Sequence, residues 1–358
     1  MKSKAKYLEV VNFVKVKIEN GELKTGDKMY SENVLSGMFK MSRQTIRHAM
    51  EVLEKEGLIS RVRGSGTYIG LAERFSKIGK TSIAVVTTYV DSYIFPKTIK
   101  GIETVLSSAG YSVQIAFTNN TVEKEHTILK DIIIKDEVAG IIIEPTKSGL
   151  PNPNISLYQT LIKKGVPIIF INSFYPGLKL PHVSMNDKEI AKHATIQLIE
   201  AGHRKIGGIF KLDDGQGHLR YAGYMEAMEE ADLPTNDINV VWLDSEEARS
   251  LKISKEKILE RTKNCTALLC YNDQIAFNMI ELFQRNNIKV PDQMSIISID
   301  NSELSVLGDV QITSVPHPMD ELGTKAAGNL IRMIQNPLFD GTYEFMTTVV
   351  NRASIKRL

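Results

Sequence analysis

The sequence of 358 residues has little of what marks a secreted, membrane-bound or disulfide-stabilised protein. Its two cysteines, Cys265 and Cys270, predict buried free thiols in a reducing compartment rather than a disulfide framework. No apolar run reaches the roughly 18 residues that a membrane-spanning helix needs. Charged residues interrupt every apolar stretch near the N-terminus, so we expect no signal peptide, no membrane partner and a cytoplasmic location.

The sequence motifs of common enzyme classes are also missing. There is no G-x-S-x-G nucleophile motif, no G-x-x-x-x-G-K-[ST] phosphate loop and no H-E-x-x-H zinc motif. The seven histidines are scattered rather than grouped at metal-ligand spacing. We therefore expect a protein that is not an enzyme and that holds neither a metal nor a cofactor.

Charge is unevenly distributed along the chain. Residues 1–70 contain 13 Lys and Arg against 8 Asp and Glu, a net charge of +5, whereas the remaining 288 residues have a net charge of −3. A basic segment ahead of a slightly acidic body is typical of a small nucleic-acid-binding domain joined to another domain. Charge alone leaves chance asymmetry open as an alternative.

The basic segment has the pattern of a winged helix-turn-helix. A helical apolar stripe spans residues 7–20, and Ser31 and Ser42 can each cap a following helix. In residues 58–70 apolar and polar side chains alternate on either side of a Gly-Ser-Gly turn, which predicts a β-hairpin. The third helix is expected to bury one face, made of Ile46, Ala49, Met50 and Leu53. The pattern predicts a DNA-binding domain over residues 1–70.

The outer face of this third helix carries the side chains expected to contact DNA in the major groove. Arg43 and Arg47 can bind guanine, Gln44 can pair with adenine, and Thr45 can reach a phosphate. Arg63 on the hairpin is placed to enter a minor groove or to clamp the backbone. The alternative interpretation of the same charges is an ordinary solvated helix.

Residues 82–358 alternate between buried strands and amphipathic helices. Apolar runs begin at residues 82, 111, 138 and 166, between 27 and 29 residues apart, and a second series follows at 205–210, 238–243, 266–270 and 294–300. One strand plus one crossover helix has this length, so the pattern predicts an α/β fold of two lobes with parallel sheets. Residues 71–81 are predicted to be a linker, and residues 172–187 to cross between the lobes.

The pattern SENxLSxxFxMSRQTIRxAMxxLExEGLIxRxxGSGTYI resembles the winged-helix domain of the GntR family over residues 4–70. The resemblance implies operator-base contacts from Glu32, Arg43 and Arg47. It also implies wing contacts from Arg63, Ser65 and Gly66. The chain departs from the family at Tyr30, where a proline is usual, which implies a looser entry to the second helix.

Several later stretches resemble the sugar-sensing core of the LacI/GalR family, a type I periplasmic-binding-protein-like fold. They include LIEAGHRKIGGIF (198–210), ALLCYNDQIAFNMIELF (267–283) and VPDQMSIISIDNSEL (290–304). A GntR-type domain before such a sensor is typical of arabinose repressors, which GIIIEPTKSGLPNPN (140–154) also resembles. The resemblance implies a homodimeric repressor that binds double-stranded operator DNA and is released by a small sugar, L-arabinose above all.

Two arguments, the position of strand ends and the family resemblance, select candidate sugar-binding residues. Ligands of open α/β sheets lie at the carboxyl ends of the strands, which here present Tyr89, Glu144, Asn172, Asn272 and Asp300. The LacI-type pattern implies that Arg220, Asn272 and Asp300 reach the sugar. Lys97 and His317 are further candidates near the first helix and the last crossing segment. Helix capping by Asn272, a solvated Glu144 and a hinge role for His317 remain alternatives.

The preferred hypothesis is thus a sugar-released transcriptional repressor, with hinges at residues 172–177, 300–304 and 314–318. One alternative keeps this architecture but senses another pentose, a hexose or a purine. Two others are a sugar-binding receptor that feeds a transporter, which the winged helix argues against, and a sugar-modifying enzyme, which the missing motifs disfavour.

Overall fold

The computed structural model describes residues 6–24, 26–62, 66–70, 80–90, 94–235, 237–250 and 255–358. Most of the predicted linker, residues 71–79, lies outside this set. None of the helices in the described ranges is long and apolar enough to cross a membrane. Cys265 and Cys270 are both buried and free, as predicted.

The N-terminal part, which we call the head, is a winged helix-turn-helix. Its described elements are α1 (Tyr7–Glu19), α2 (Glu32–Phe39), α3 (Arg43–Lys55), β1 (Ile59–Val62) and β2 (Gly66–Ile69). Ser31 Oγ accepts a hydrogen bond from the Val34 amide at 3.3 Å, and Ser42 Oγ accepts one from the Thr45 amide at 3.2 Å. Both predicted caps are therefore present, and each satisfies an N–H at a helix start that has no partner within its helix.

The apolar face predicted for α3 is confirmed, since Ile46, Ala49, Met50 and Leu53 are all buried. They pack with α1 and α2 in one core cluster. The strands β1 and β2 pair in antiparallel fashion from Ile59–Ile69 to Val62–Gly66. Residues 26–29 lie alongside β2, where the Met29 amide donates to the Thr67 carbonyl at 2.8 Å. This pairing attaches the hairpin of β1 and β2, which we call the wing, to the segment that connects α1 and α2.

The described residues from 80 to 358 form two lobes, and lobe 1 is a parallel sheet in the order β13-β7-β6-β5-β3-β4. Its strands are β3 (Ser82–Thr87), β4 (Ser112–Phe117), β5 (Val138–Ile143), β6 (Ile168–Ile171), β7 (His182–Met185) and β13 (Tyr343–Phe345). The helices that pack on it are α4 (Phe95–Ser108), α5 (Val122–Lys135), α6 (Ile155–Lys163) and α13 (Met319–Gln335).

Lobe 2 is a parallel sheet in the order β12-β11-β10-β8-β9. Its strands are β8 (Ile206–Lys211), β9 (Val240–Leu243), β10 (Ala267–Cys270), β11 (Ser295–Asp300) and β12 (Thr313–Pro316). Its helices are α7 (Asp187–Glu200), α8 (Gly215–Glu230), α9 (Ser245–Ser250), α10 (Lys255–Thr262), α11 (Asp273–Arg285) and α12 (Leu304–Leu307). The predicted α/β fold with parallel sheets is confirmed. Strands such as β5 and β10 are apolar and buried throughout because helices cover both faces of their sheets.

The chain passes between the lobes at residues 185–187, 316–319 and 345–350. At the first passage β7 belongs to lobe 1 while α7 packs into the core of lobe 2. The first passage lies within the predicted crossing segment, residues 172–187, but the hinge predicted at 172–177 is wrong, because Tyr175 lies in the core of lobe 1. The predicted hinge at 300–304 is also wrong, since this stretch joins β11 to α12 within lobe 2. The segment 314–318 does contain a passage between the lobes.

Candidate functional site

A cavity of about 130 Å³ lies between the two lobes, at the carboxyl ends of strands from both sheets. The strand order reverses between β3 and β5 in lobe 1 and between β8 and β10 in lobe 2. Such reversal points open a crevice where α/β proteins bind ligands. Here the two crevices face each other, so one ligand can touch both lobes.

Arg220 is the central cation of the lobe 2 wall. It is almost fully buried, and its Nε donates to Asp187 Oδ1 at 2.8 Å. Its Nη1 donates to the Tyr271 carbonyl, and its Nη2 lies 4.0 Å from Asp300 Oδ1. Burial lowers the pKa of Arg220, but the negative charges around it, Asp187 foremost, more than offset this and leave the pKa raised. The guanidinium is therefore charged, and acidic groups fix its orientation.

A second charged group surrounds the start of α8. Asp214 caps this helix by accepting from the Gln216 amide at 2.9 Å, and it also accepts from the Tyr271 hydroxyl at 2.7 Å. Lys211 Nζ lies 3.2 Å from Asp214 Oδ2. Burial raises the pKa of Asp214, but the charge of Lys211 and the hydrogen bond from Tyr271 outweigh this and leave the pKa lowered.

Glu144 forms the acidic part of the lobe 1 wall. The Thr88 amide donates to Glu144 Oε2 at 2.9 Å, and the Thr88 hydroxyl donates to the same oxygen. Asn172 Nδ2 donates to Glu144 Oε1 at 2.9 Å. Burial raises the pKa of Glu144, and these hydrogen bonds oppose that rise only in part. Asn172 supports Glu144 from behind and does not line the cavity.

The fold brings some of the residues predicted to bind the sugar together and leaves others apart. Six of them line the cavity: Tyr89, Glu144, Arg220, Asn272, Asp300 and His317. Lys97 lies outside the cavity wall, because the inward face of α4 is formed by Phe95 and Thr98 while Lys97 is exposed. Asn272 lines the cavity and also caps α11, accepting from the Ile275 amide at 3.0 Å. The capping alternative for Asn272 therefore holds together with its place in the wall.

Two predicted site residues have an unusual backbone conformation. Asp300 has a φ of 108° and Asn172 a φ of 63°, both in a region that residues with a side chain rarely adopt. Such strain persists only where the surrounding structure enforces it, and it is often found at functional sites.

The sequence analysis missed part of the wall, namely Lys211, Asp213, Asp214, Ser148 and Tyr271. A signal for the first three was present, because the letters KLDD directly follow the predicted strand at 205–210. The rule that ligands lie at strand ends applies to this strand as to the others.

Polar contacts across the cleft join the two lobes. Ser148 Oγ of lobe 1 accepts from the Gly215 amide, the first residue of α8 in lobe 2, at 2.9 Å. Asn120 Nδ2 donates to Ser245 Oγ at 2.9 Å, and the Arg249 guanidinium lies 3.9 Å from the centroid of the Tyr89 ring. The cleft is thus closed in this structure.

His317 lies in the wall at the passage from β12 to α13. Both of its ring nitrogens are buried and lack a hydrogen-bond partner among the described residues. Burial and the charge of Arg220 lower its pKa to about 3. A neutral imidazole offers one donor and one acceptor, so a bound ligand with hydroxyl groups would satisfy both nitrogens.

The lowered pKa of His317 leads us to expect that the stability of the protein depends on pH. Because its folded pKa is lowered from 6.5 to about 3, its contribution is complete above pH 6.5 and is lost as the pH falls towards 3. We expect the His317→Gln sensor to lose less stability than the unmodified sensor over this range, by at most about 1.4 kcal/mol per pH unit. Urea unfolding at several pH values measures the difference. His193→Gln, at an exposed position on α7, is the matched control. Parallel pH curves for the His317→Gln and unmodified proteins would contradict the prediction.

The outer face of α3 presents the candidate DNA contacts. Arg43 and Gln44 are exposed, Thr45 is half-buried, and Arg47 Nη2 lies 3.5 Å from Glu32 Oε2 on α2. The ion pair between Glu32 and Arg47 orients both side chains on one surface.

At the wing, Gly66 has a φ of 128°, and a Cβ there would lie 2.9 Å from Lys28 Cε. A side chain at this position would therefore be strained. The other predicted wing contacts, Arg63 and Ser65, lie outside the described residues.

Comparison with known proteins gives matches to the head and to a later segment of the chain. The family model of the bacterial regulatory proteins of the gntR family matches residues 6–69, and that of the periplasmic binding protein-like domain matches residues 195–355. The transcription regulator CcpA of Lactococcus lactis has a similar fold, with a TM-score of 0.69 at 23% identity over 77% of this chain and 100% of that one.

Two curated relatives align over most of their length. The arabinose metabolism transcriptional repressor of Geobacillus stearothermophilus is 34% identical, over 100% of this chain and 99% of that protein. The protein of the same name from Halalkalibacterium halodurans is 35% identical, over 92% of this chain and 89% of that protein.

Proposed function

Because the chain belongs to the family of arabinose metabolism transcriptional repressors, we propose that its head binds operator DNA and that L-arabinose in the interlobe cavity releases it. The observation that carries the ligand proposal is the charge balance of the cavity. Lys211 lies beside Asp214, Arg220 beside Asp187 and Asp300, and Lys147 Nζ lies 4.0 Å from Asp213 Oδ2. A wall whose cations are matched by carboxylates favours a neutral ligand over a phosphate or a sugar acid.

The remaining chemistry of the cavity fits a polyol. Carboxylates accept hydrogen bonds from hydroxyl groups, while Arg220 and His317 can donate to them, so a sugar can be held on several sides. A cavity of about 130 Å³ is close to the roughly 150 Å³ that holds a single benzene ring in an engineered protein. This size favours a monosaccharide over a longer sugar. Another pentose or a hexose is the second candidate for the same reasons.

A purine is less well served by this site. A planar base needs broad apolar faces, and the cavity walls are dominated by charged and hydroxyl-bearing side chains. Turnover of the sugar is not part of the proposal, which follows the two relatives named as transcriptional repressors. The proposed site of action is the cytoplasm, where operator DNA is available.

The mechanism couples the cleft to the head through lobe closure. Two chains are expected to pair through their sensors and to place two heads on the half-sites of a pseudo-palindromic operator. L-arabinose bridges the lobes and stabilises the closed arrangement, which alters the spacing of the heads. By linkage, operator DNA must weaken L-arabinose binding by the same factor as the sugar weakens operator binding.

Calorimetry with the full chain tests the ligand. We expect L-arabinose to bind more tightly than D-xylose, D-galactose or ribose 5-phosphate, and to raise the operator dissociation constant in a parallel DNA-binding measurement. The coupling should be about 5- to 150-fold, the usual range for allosteric pairs. Tighter binding of D-xylose or D-galactose would show that this sugar, and not L-arabinose, is the ligand. Tighter binding of ribose 5-phosphate would overturn the argument from charge balance.

A further inference from the structure

The segment between β5 and α6, residues 144–154, which we call the cleft loop, performs two tasks at once. It contributes Glu144, Pro145, Lys147 and Ser148 to the cavity wall. It also reaches lobe 2, where Ser148 Oγ binds the Gly215 amide and the Gly149 amide donates to the Asp213 carbonyl at 3.3 Å. Its shape must therefore be held accurately for ligand binding and for lobe closure.

A buried carboxyl group lies directly behind the cleft loop. Glu125 on α5 is fully buried, and its Oε1 accepts from the Thr146 amide at 3.3 Å and from the Tyr175 hydroxyl at 2.8 Å. Its Oε2 accepts from Asn152 Nδ2 at 2.7 Å and from Asn154 Nδ2 at 2.8 Å. Three of these four donors belong to the cleft loop itself.

Hydrogen-bond donors, rather than a cation, surround the Glu125 carboxyl group. The Tyr158 hydroxyl also donates to Glu125 Oε1, at 2.7 Å, and among the described residues no Lys or Arg forms an ion pair with this carboxyl. Burial raises the pKa of both Tyr158 and Tyr175, which keeps their hydroxyls protonated as donors. Only a side chain that accepts on two oxygens satisfies all of these groups. A buried donor left without a partner costs about 1–3 kcal/mol.

We propose that Glu125 is a positioning residue of the effector site. It does not reach the cavity, but it holds the cleft loop in the shape that lets Glu144 face the ligand and Ser148 cap α8 across the cleft. The choice of L-arabinose as the probe rests on the proposed function, while the geometric part of the inference does not depend on it.

The test is Glu125→Gln in the full chain, with Glu123→Gln as the matched control. Both residues lie on α5 and both changes remove one carboxylate, but Glu123 is exposed. Gln accepts on one atom only, so either the Thr146 amide or both Asn152 and Asn154 lose their acceptor, depending on which way the new amide faces. We expect Glu125→Gln to weaken L-arabinose binding about tenfold or more, as loss of an outer-shell partner commonly does at metal sites, with sugar-free operator affinity unchanged. Glu123→Gln should match the unmodified protein.

Amide hydrogen exchange separates positioning from a general loss of stability. We expect Glu125→Gln to speed exchange in residues 144–152 and at Gly215, with the strands β8 and β10 unaffected. Uniformly faster exchange, or unchanged exchange together with unchanged L-arabinose affinity, would overturn the proposal. If Glu125→Gln does not fold, Asn152→Ala removes one half-buried donor of the same group and must give the same pattern. If the unmodified protein does not bind L-arabinose, the proposed ligand fails, and exchange at Gly215 alone decides the role of Glu125.

Discussion

Arg220→Ala should abolish the response to effector while leaving effector-free operator binding intact. The change removes the cation that lies against Asp187 and Asp300, so two buried carboxylates lose this positive charge. Breaking a buried ion pair in this way typically costs about 3–5 kcal/mol of stability. The same change removes a charged donor from the cavity, and truncating a desolvated charged partner costs about 2–5 kcal/mol of binding, or roughly 30- to 5000-fold.

Calorimetry and operator binding, each with and without sugar, measure this effect. Arg204→Ala is the matched control, because Arg204 is an exposed arginine of the same lobe. The measurements belong at a temperature where both variants are folded, as judged by circular dichroism. An Arg220→Ala protein that is still released by sugar at the normal concentration would remove Arg220 from the site.

Arg43→Ala should weaken specific operator binding by about 1–3 kcal/mol, or roughly 5- to 150-fold, and should blur the preference at one base pair. Arg43 is exposed in the first turn of α3, directly after the Ser42 cap. Lys55→Ala removes the same charge from the other end of the helix, about 18 Å away at 1.5 Å per residue, and is the matched control.

The salt dependence of binding distinguishes the two roles that Arg43 could have. A phosphate contact contributes about 0.9 to the slope of log K against log salt concentration, so its removal would lower the slope by about that amount and weaken all sequences alike. A base contact leaves the slope nearly unchanged and affects the cognate sequence most. Equal losses on cognate and random DNA would therefore contradict the assignment of Arg43 to base recognition.

The periodic parts of the fold could be predicted because their signals are local. The caps Ser31 and Ser42 and the apolar face of α3 follow from side-chain spacing, and buried strands such as β5 follow from unbroken apolar runs. The strand β7 escaped prediction because its four residues include His182 and Ser184 and follow a proline. Which sheet a strand joins depends on contacts distant in sequence, so two of the three predicted hinges, 172–177 and 300–304, were misplaced.

The candidate site was predictable in part for the same reason. Glu144 directly follows β5 and Asp300 is the last residue of β11, and the cavity does lie at those strand ends. Lys97 was selected for its place near the first helix, but proximity in sequence does not say which way a helix faces. Glu125 gave no signal, since a glutamate within an amphipathic helix normally points to solvent. Its role depends on Asn152, Tyr158 and Tyr175, which meet it only in the folded lobe.

The late position of α13 and β13 in the chain has a consequence for synthesis on the ribosome. Lobe 1 begins with β3 but is not complete until β13, at residues 343–345, takes its place beside β7. The head, whose core draws only on residues before position 70, can fold much earlier. At about 5–20 residues per second, the 288 residues that follow position 70 take roughly 15 to 60 s to translate. We therefore expect each newly made molecule to carry a folded DNA-binding surface before the cavity between its lobes is complete.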